Sequence, residues 1–163
     1  MRRAALALIG ACLLLGGCGF QLRGTANLPF ETLSIPGASL LAIDLQRNIV
    51  AGTTTKVVPR DRDPQAVLDL LGEVREKVIL SLNTQGRVRE YQLRYLVAFR
   101  VHDGKGGEYI PNNQIVLRRD ITFNDQLLAK ESEEALLYRE MQTDMVQQIL
   151  RRLQAAKRPD PDD

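Results

Sequence analysis

Tryptophan is absent from this 163-residue sequence, histidine occurs once and cysteine twice. A single imidazole, His102, with no Cys/His cluster cannot supply the four ligands of a structural zinc site, so no metal is expected. There is no Gly-x-Ser-x-Gly elbow, no Walker loop and no His-Glu-x-x-His pair. Nucleophilic and metal-assisted hydrolysis are therefore poorly supplied, and the chain is expected to be neither an enzyme nor a cofactor carrier. His102 precedes a Gly-rich turn and is expected as an exposed loop residue. Long apolar runs are scarce too. After Leu15 nothing approaches the roughly 20 residues that a transmembrane helix needs. An excess of charge of one sign is also missing. Setting aside Arg2 and Arg3 from the 22 basic residues leaves 20 against 20 acidic ones. This gives no electrostatic reason to expect nucleic acid as a partner.

What is present begins with the leader. Met1-Arg2-Arg3 is a short basic start, Ala4–Leu15 is almost wholly apolar, and Gly16-Gly17-Cys18 follows. This is the pattern of a signal peptide, here with the small-small-Cys end of a bacterial lipobox. Cleavage before Cys18 makes residues 1–17 the signal peptide and Cys18 the lipid anchor. Ile9-Gly10-Ala11-Cys12 is a second, earlier candidate that leaves a very short apolar segment, and an ordinary secretory signal with a free Cys18 is the plainer alternative. With Cys12 discarded and Cys18 acylated, no cysteine remains for a disulfide, and the domain must rest on its core. One acyl chain holds a membrane only marginally and several hold it stably. Gly19, rather than Asp, after the anchor implies release to the outer membrane, as in bacterial lipoproteins generally.

Residues 18–156 read as one domain of ordinary size. Phe30–Ile35 alternates as a strand ended by Pro36-Gly37. Ser39 can cap a helix whose Leu41, Leu45 and Ile49 share a face, with Gly52 as its stop. Thr53–Val58 is β-branched and strand-like. Ala66–Leu82 has period two, with Leu68, Leu70, Val74, Val78, Leu80 and Leu82 expected buried and Asp69, Glu73, Arg75 and Lys77 expected wet; Gly72 marks a candidate bulge. Arg89–Val101 and Ile115–Phe123 alternate in the same way. From Asn124-Asp125 to Leu153 the period becomes helical, with Leu137, Met141, Met145, Ile149 and Leu153 in one stripe. Residues 157–163 are charged and hold two prolines, as a disordered tail does. The expected fold class is α+β: two helices packed on one face of a mixed, largely antiparallel sheet of four to five strands, in the order β-α-β-β-β-β-α.

Two basic features are left over from the fold: Arg87 and Arg89 (with Arg94 further along) after the Asn83–Gly86 turn, and Lys130 at the entrance to the last helix. Taken alone, each is a solvated surface charge.

Cys18-Gly19-Phe20-Gln21-Leu22-Arg23-Gly24 resembles the mature start of the LptE family, the lipopolysaccharide-assembly lipoproteins of Gram-negative outer membranes. Arg89-Glu90-Tyr91-Gln92-Leu93 also resembles the family. So do Leu128-Ala129-Lys130-Glu131 and the later Glu140-Met141, Asp144 and Gln148–Leu153. The resemblance implies a non-enzymatic, lipid-anchored protein on the periplasmic side of the outer membrane. It implies a complex with the β-barrel LptD, inside which such proteins sit as a plug, assisting barrel assembly and lipopolysaccharide binding and insertion. Lys130 matches a family position implicated in lipopolysaccharide binding. The family's second basic contact falls here on Thr84, with Arg87 and Arg89 displaced along the strand. Lys130, Arg87 and Arg89 are therefore the expected lipopolysaccharide-binding residues, since Lys and Arg are the side chains that bind phosphate. The alternative is another periplasmic-facing lipoprotein adaptor, such as a pilot of an outer-membrane secretion complex. A small lipid-modifying enzyme would need a nucleophile–base pair that the sequence does not offer.

Overall fold

The computed structural model describes residues 27–122 and 127–158, with the side chains of 127–131 excepted. The leader, the Cys18 anchor and most of the expected tail lie outside the described residues. The elements are β1 (Thr32–Ser34), α1 (Leu40–Gly52), β2 (Lys56–Val57), a 3-10 turn (Arg60–Arg62), β3 (Ala66–Leu82), β4 (Val88–His102), β5 (Glu108–Thr122) and α2 (Leu127–Ala155). The five strands form one sheet in the order β2-β1-β3-β4-β5. β1 runs parallel to both of its neighbours, while β3, β4 and β5 form an antiparallel meander. The α+β architecture expected from the sequence is therefore the one found, and its mixed character comes from the short β1–α1–β2 unit.

Local chemistry accounts for the elements. Ser39 caps α1 by accepting from the Ala42 N–H at 3.2 Å, and the Thr53 N–H and hydroxyl close its end on the Ile49 carbonyl. The apolar face of α1 and the Met141–Leu153 stripe of α2 lie on one side of the sheet. There they bury Leu33, Leu68, Leu93, Val97, Phe99 and Val101 with Leu45, Ile49, Met145 and Ile149. Each such side chain contributes about 1.5–3 kcal/mol relative to exposure.

β3 departs from the expected pattern at Gly72. Leu68 pairs with Val101 and Leu70 with Phe99, so even positions face the helices up to that point. The register then slips by one. Glu73 lies opposite Val97, Arg75 opposite Tyr95 and Lys77 opposite Leu93, and the odd positions now face the helices. Val74, 48% exposed, and Leu82, 57% exposed, are on the outside. A one-residue bulge turns the following side chains over, here as far as Ile79, where the register shifts again, because the side-chain period along a strand is two. The expectation that Val74, Leu80 and Leu82 are buried is therefore overturned, since all three are exposed; Val78 is half-buried, and Glu73, Arg75 and Lys77 stay exposed as expected but stand on the helix side of the sheet.

The helix-facing polar residues find partners. Tyr95 donates to Glu73 at 2.6 Å, Arg75 to Gln142 at 2.7 Å, and Gln142 to Asp44 of α1 at 2.6 Å. Lys77 meets Glu134 at 2.5 Å, and the Tyr138 hydroxyl donates to the Glu76 carbonyl. The Arg75 guanidinium stacks 5.0 Å over Tyr95. A polar and aromatic layer thus carries the contact between the sheet and α2 beyond the apolar core.

Candidate functional site

The β3–β4 hairpin ends in a turn organised by one side chain. Asn83 accepts the N–H groups of Gln85 and Arg87 on its Oδ1, its own N–H reaches the Arg87 carbonyl, and Gly86 takes φ +74°. Asn bonding to its own backbone and Gly at positive φ are the ordinary means of closing such a turn. The turn fixes the backbone of Arg87 and projects it, with Arg89, at the far end of the sheet. Both arginines are exposed, and neither meets a carboxylate among the described residues.

α2 approaches the same end. Its contacts progress along the hairpin: Arg152 to Asn113, Asp144 to Arg119, Gln142 to Arg75, and Glu134 to Lys77. Thr122, the last residue of β5, pairs with Glu90, and α2 begins five residues later. The first turn of α2, which contains Lys130, therefore stands at the tip end of the hairpin with Arg87 and Arg89. The side chain of Lys130 lies outside the described residues.

The other end of the hairpin holds a second polar cluster. His102 belongs to β4, and its side chain is only 14% exposed. This overturns its expected place as an exposed loop residue; the strand runs one residue further than the Gly-rich turn suggested. Its Nε2 lies 3.0 Å from Asp69 Oδ2, and its Nδ1 accepts the Gly104 N–H at 3.0 Å. That pair of contacts assigns the proton to Nε2 in the neutral ring. Arg100 donates twice to the same Asp69 oxygen, at 3.0 and 3.2 Å. Burial alone would raise the Asp69 pKa, but the hydrogen bonds and charges of Arg100 and His102 outweigh it and hold the carboxyl below its ordinary value. With both ring nitrogens engaged, the cluster ties β3 to β4 and offers no free base. Among the described residues no three His, Cys, Asp or Glu side chains gather as a metal would require. Nor is any helix among them long and apolar enough to cross a membrane.

The sheet face without helices carries a pairing that sequence reasoning missed. Arg94 of β4 and Arg118 of β5 are directly opposite in the register, on that face. Arg118 shows no ion pair among the described residues. Arg94 donates from Nε to Gln92 at 2.8 Å, and Gln92 donates in turn to Asp120 at 3.0 Å. The next row along is apolar: Val74, Leu96 and Val116 stand opposite one another across three strands. The signal in the sequence was the even-numbered Arg94 on a strand whose odd positions are buried. Its meeting with Arg118 depends on a register that no local pattern discloses.

Comparison with known proteins places these observations. Residues 30–153 match the family model LptE, described as lipopolysaccharide-assembly. A protein of Yersinia enterocolitica named LPS-assembly lipoprotein LptE is 32% identical over 164 residues, covering 93% of this chain and 75% of the relative. Among solved structures, an uncharacterized lipoprotein B from Nitrosomonas europaea is 42% identical with a TM-score of 0.73, covering 84% of this chain and 91% of that one. The rare lipoprotein B of Shewanella oneidensis is 32% identical with a TM-score of 0.63, covering 74% and 91%.

Proposed function

The chain belongs to the lipopolysaccharide-assembly family LptE, and from that premise we propose that it is an outer-membrane lipoprotein, anchored through Cys18, that plugs an LptD-type β-barrel. In this role it assists assembly of the barrel and binds lipopolysaccharide on its way to the cell surface. Membership of the family also makes it a non-enzymatic protein.

The observation that carries the binding role is the hairpin tip. Arg87 and Arg89 are exposed there without a carboxylate partner among the described residues, at the same end as the turn of α2 that holds Lys130. The phosphates of lipid A suit such a group, because charge-assisted bonds to phosphate are among the strongest polar contacts and Arg makes them bidentately. Thr84, on the position of the family's second basic contact, leaves that duty to Arg87 or Arg89.

Two experiments test the reading. Affinity purification of the tagged, membrane-anchored protein in mild detergent should recover a stoichiometric large β-barrel. Recovery of the lipoprotein alone, or with secretion components, overturns the plug role in favour of an adaptor. Lys130→Glu combined with Arg87→Glu and Arg89→Glu should abolish lipopolysaccharide binding while leaving the melting temperature in place; undiminished binding by the folded variant removes the tip as the site.

A further inference from the structure

The helix-side charges of the sheet are neutralised in pairs, Lys77 with Glu134 and Arg119 with Asp144. The open side is different. Arg94 and Arg118 are cross-strand neighbours of like charge, an arrangement that disfavours the sheet at the roughly 5 Å Cβ separation of directly opposed residues. Glu76 is opposite Arg94 on its other side, yet no carboxylate comes within ion-pair distance of either arginine among the described residues. Asp120, the nearest acid along β5, accepts from the Gln92 amide. The apolar row Val74, Leu96 and Val116 lies one pleat repeat away, about 7 Å along the strands. Two cross-strand cations beside a strip of hydrocarbon, exposed at Val74 and half-buried at Leu96 and Val116, match a ligand with an anionic head and an apolar body.

We propose that Arg94 and Arg118 bind a lipid phosphate on the open face of the sheet, with the Val74–Leu96–Val116 row receiving hydrocarbon from the same molecule. This is a contact separate from the hairpin tip, and it rests on the lipopolysaccharide reading above. It gives the protein two faces for one amphiphile: the tip, made of Arg87, Arg89 and Lys130, and the open sheet. A phosphate between the two guanidiniums relieves their mutual repulsion, so the pair is held ready by the register of β4 and β5 rather than by any motion.

The test uses the full-length protein in detergent, with bisphosphorylated lipid A and the same lipid A stripped of its phosphates as probes. Arg94→Gln/Arg118→Gln should weaken binding of bisphosphorylated lipid A about tenfold or more and leave binding of the stripped lipid within about twofold. Val74→Gln should weaken both. Arg118→Gln alone should hold or raise the melting temperature, since it removes a like-charge neighbour, which separates lost binding from lost folding. If the double variant binds bisphosphorylated lipid A as the wild type does while the Lys130/Arg87/Arg89 variant fails, the open-face contact is refuted and the tip stands. If the wild type binds neither probe, the lipopolysaccharide reading itself falls. If the double variant keeps its lipid A affinity but loses a co-purifying protein, the arginines belong to an acidic protein surface and the lipid contact is refuted.

Discussion

The two halves of β3 share one strand and obey opposite rules. From Ala66 to Leu70 its apolar side chains face the helices and join the core; from Glu73 to Lys77 charged side chains, still exposed, stand on the helix side, and Val74 faces outward. The first half is held by buried hydrocarbon. The second is held by a chain of polar contacts, Glu73–Tyr95, Arg75–Gln142–Asp44 and Lys77–Glu134, laid over aromatic rings. The face a helix covers need not be the apolar one, provided the helix brings partners of its own. The exposed apolar residues left on the other side are then available for binding.

The comparison breaks most completely at its hinge. Deleting Gly72 removes the bulge, turns Glu73, Arg75 and Lys77 away from α2 and brings Val74 inward. The expected result is loss of cooperative thermal unfolding followed by circular dichroism; a sharp transition near that of the parent means the bulge does not set the faces. Next in size is a matched pair of truncations. Phe99→Ala in the first half should cost about 3–5 kcal/mol in denaturant unfolding, whereas Leu82→Ala in the second should stay within about 0.5 kcal/mol. Equal costs would erase the distinction between the halves.

Tyr95 sharpens the comparison, since it joins the two halves. Burial first, and then the hydrogen bond to Glu73, push its pKa well above the ordinary tyrosine value. A raised pKa contributes stability that is whole below the unfolded value of about 10 and is lost as the pH rises from there. The alkaline limb of the stability profile should therefore flatten in Tyr95→Phe, with a loss of about 1 kcal/mol at neutral pH from the missing hydrogen bond. An unchanged alkaline limb would place that sensitivity elsewhere. The smallest effect belongs to Lys77→Ala. Its ion pair with Glu134 is partly exposed, so it should cost no more than about 1 kcal/mol and vanish in high salt.

Much of this was legible in the residues. Ser39 and Gly52 bounded α1 correctly, the four-residue stripe from Leu137 to Leu153 located α2, and strict alternation from Tyr91 to Val101 identified the buried face of β4. The error on β3 had a physical cause. Period two says which side chains share a face; it does not say which face is covered, and a bulge exchanges the two without disturbing the composition. The tip arginines were visible because a turn is a local object. Lys130 entered only through family resemblance, being one exposed-type residue among many on a long helix. The Arg94–Arg118 pair was invisible, for it is created by the register of two neighbouring strands that brings together residues 24 positions apart.

The placement of β1 has a consequence for the order of events during folding. This three-residue strand lies between β2 and β3, so Leu33 gains its neighbours Val57 and Ala66 only when chain from well downstream has arrived. The β3–β4–β5 meander, by contrast, closes through short connections and is the kinetically accessible nucleus, since contacts close in sequence form fastest. Synthesis delivers the N-terminal segment first. Phe30, Leu33 and Ile35 must then wait, unburied, for the last three strands to form the surface on which they come to rest.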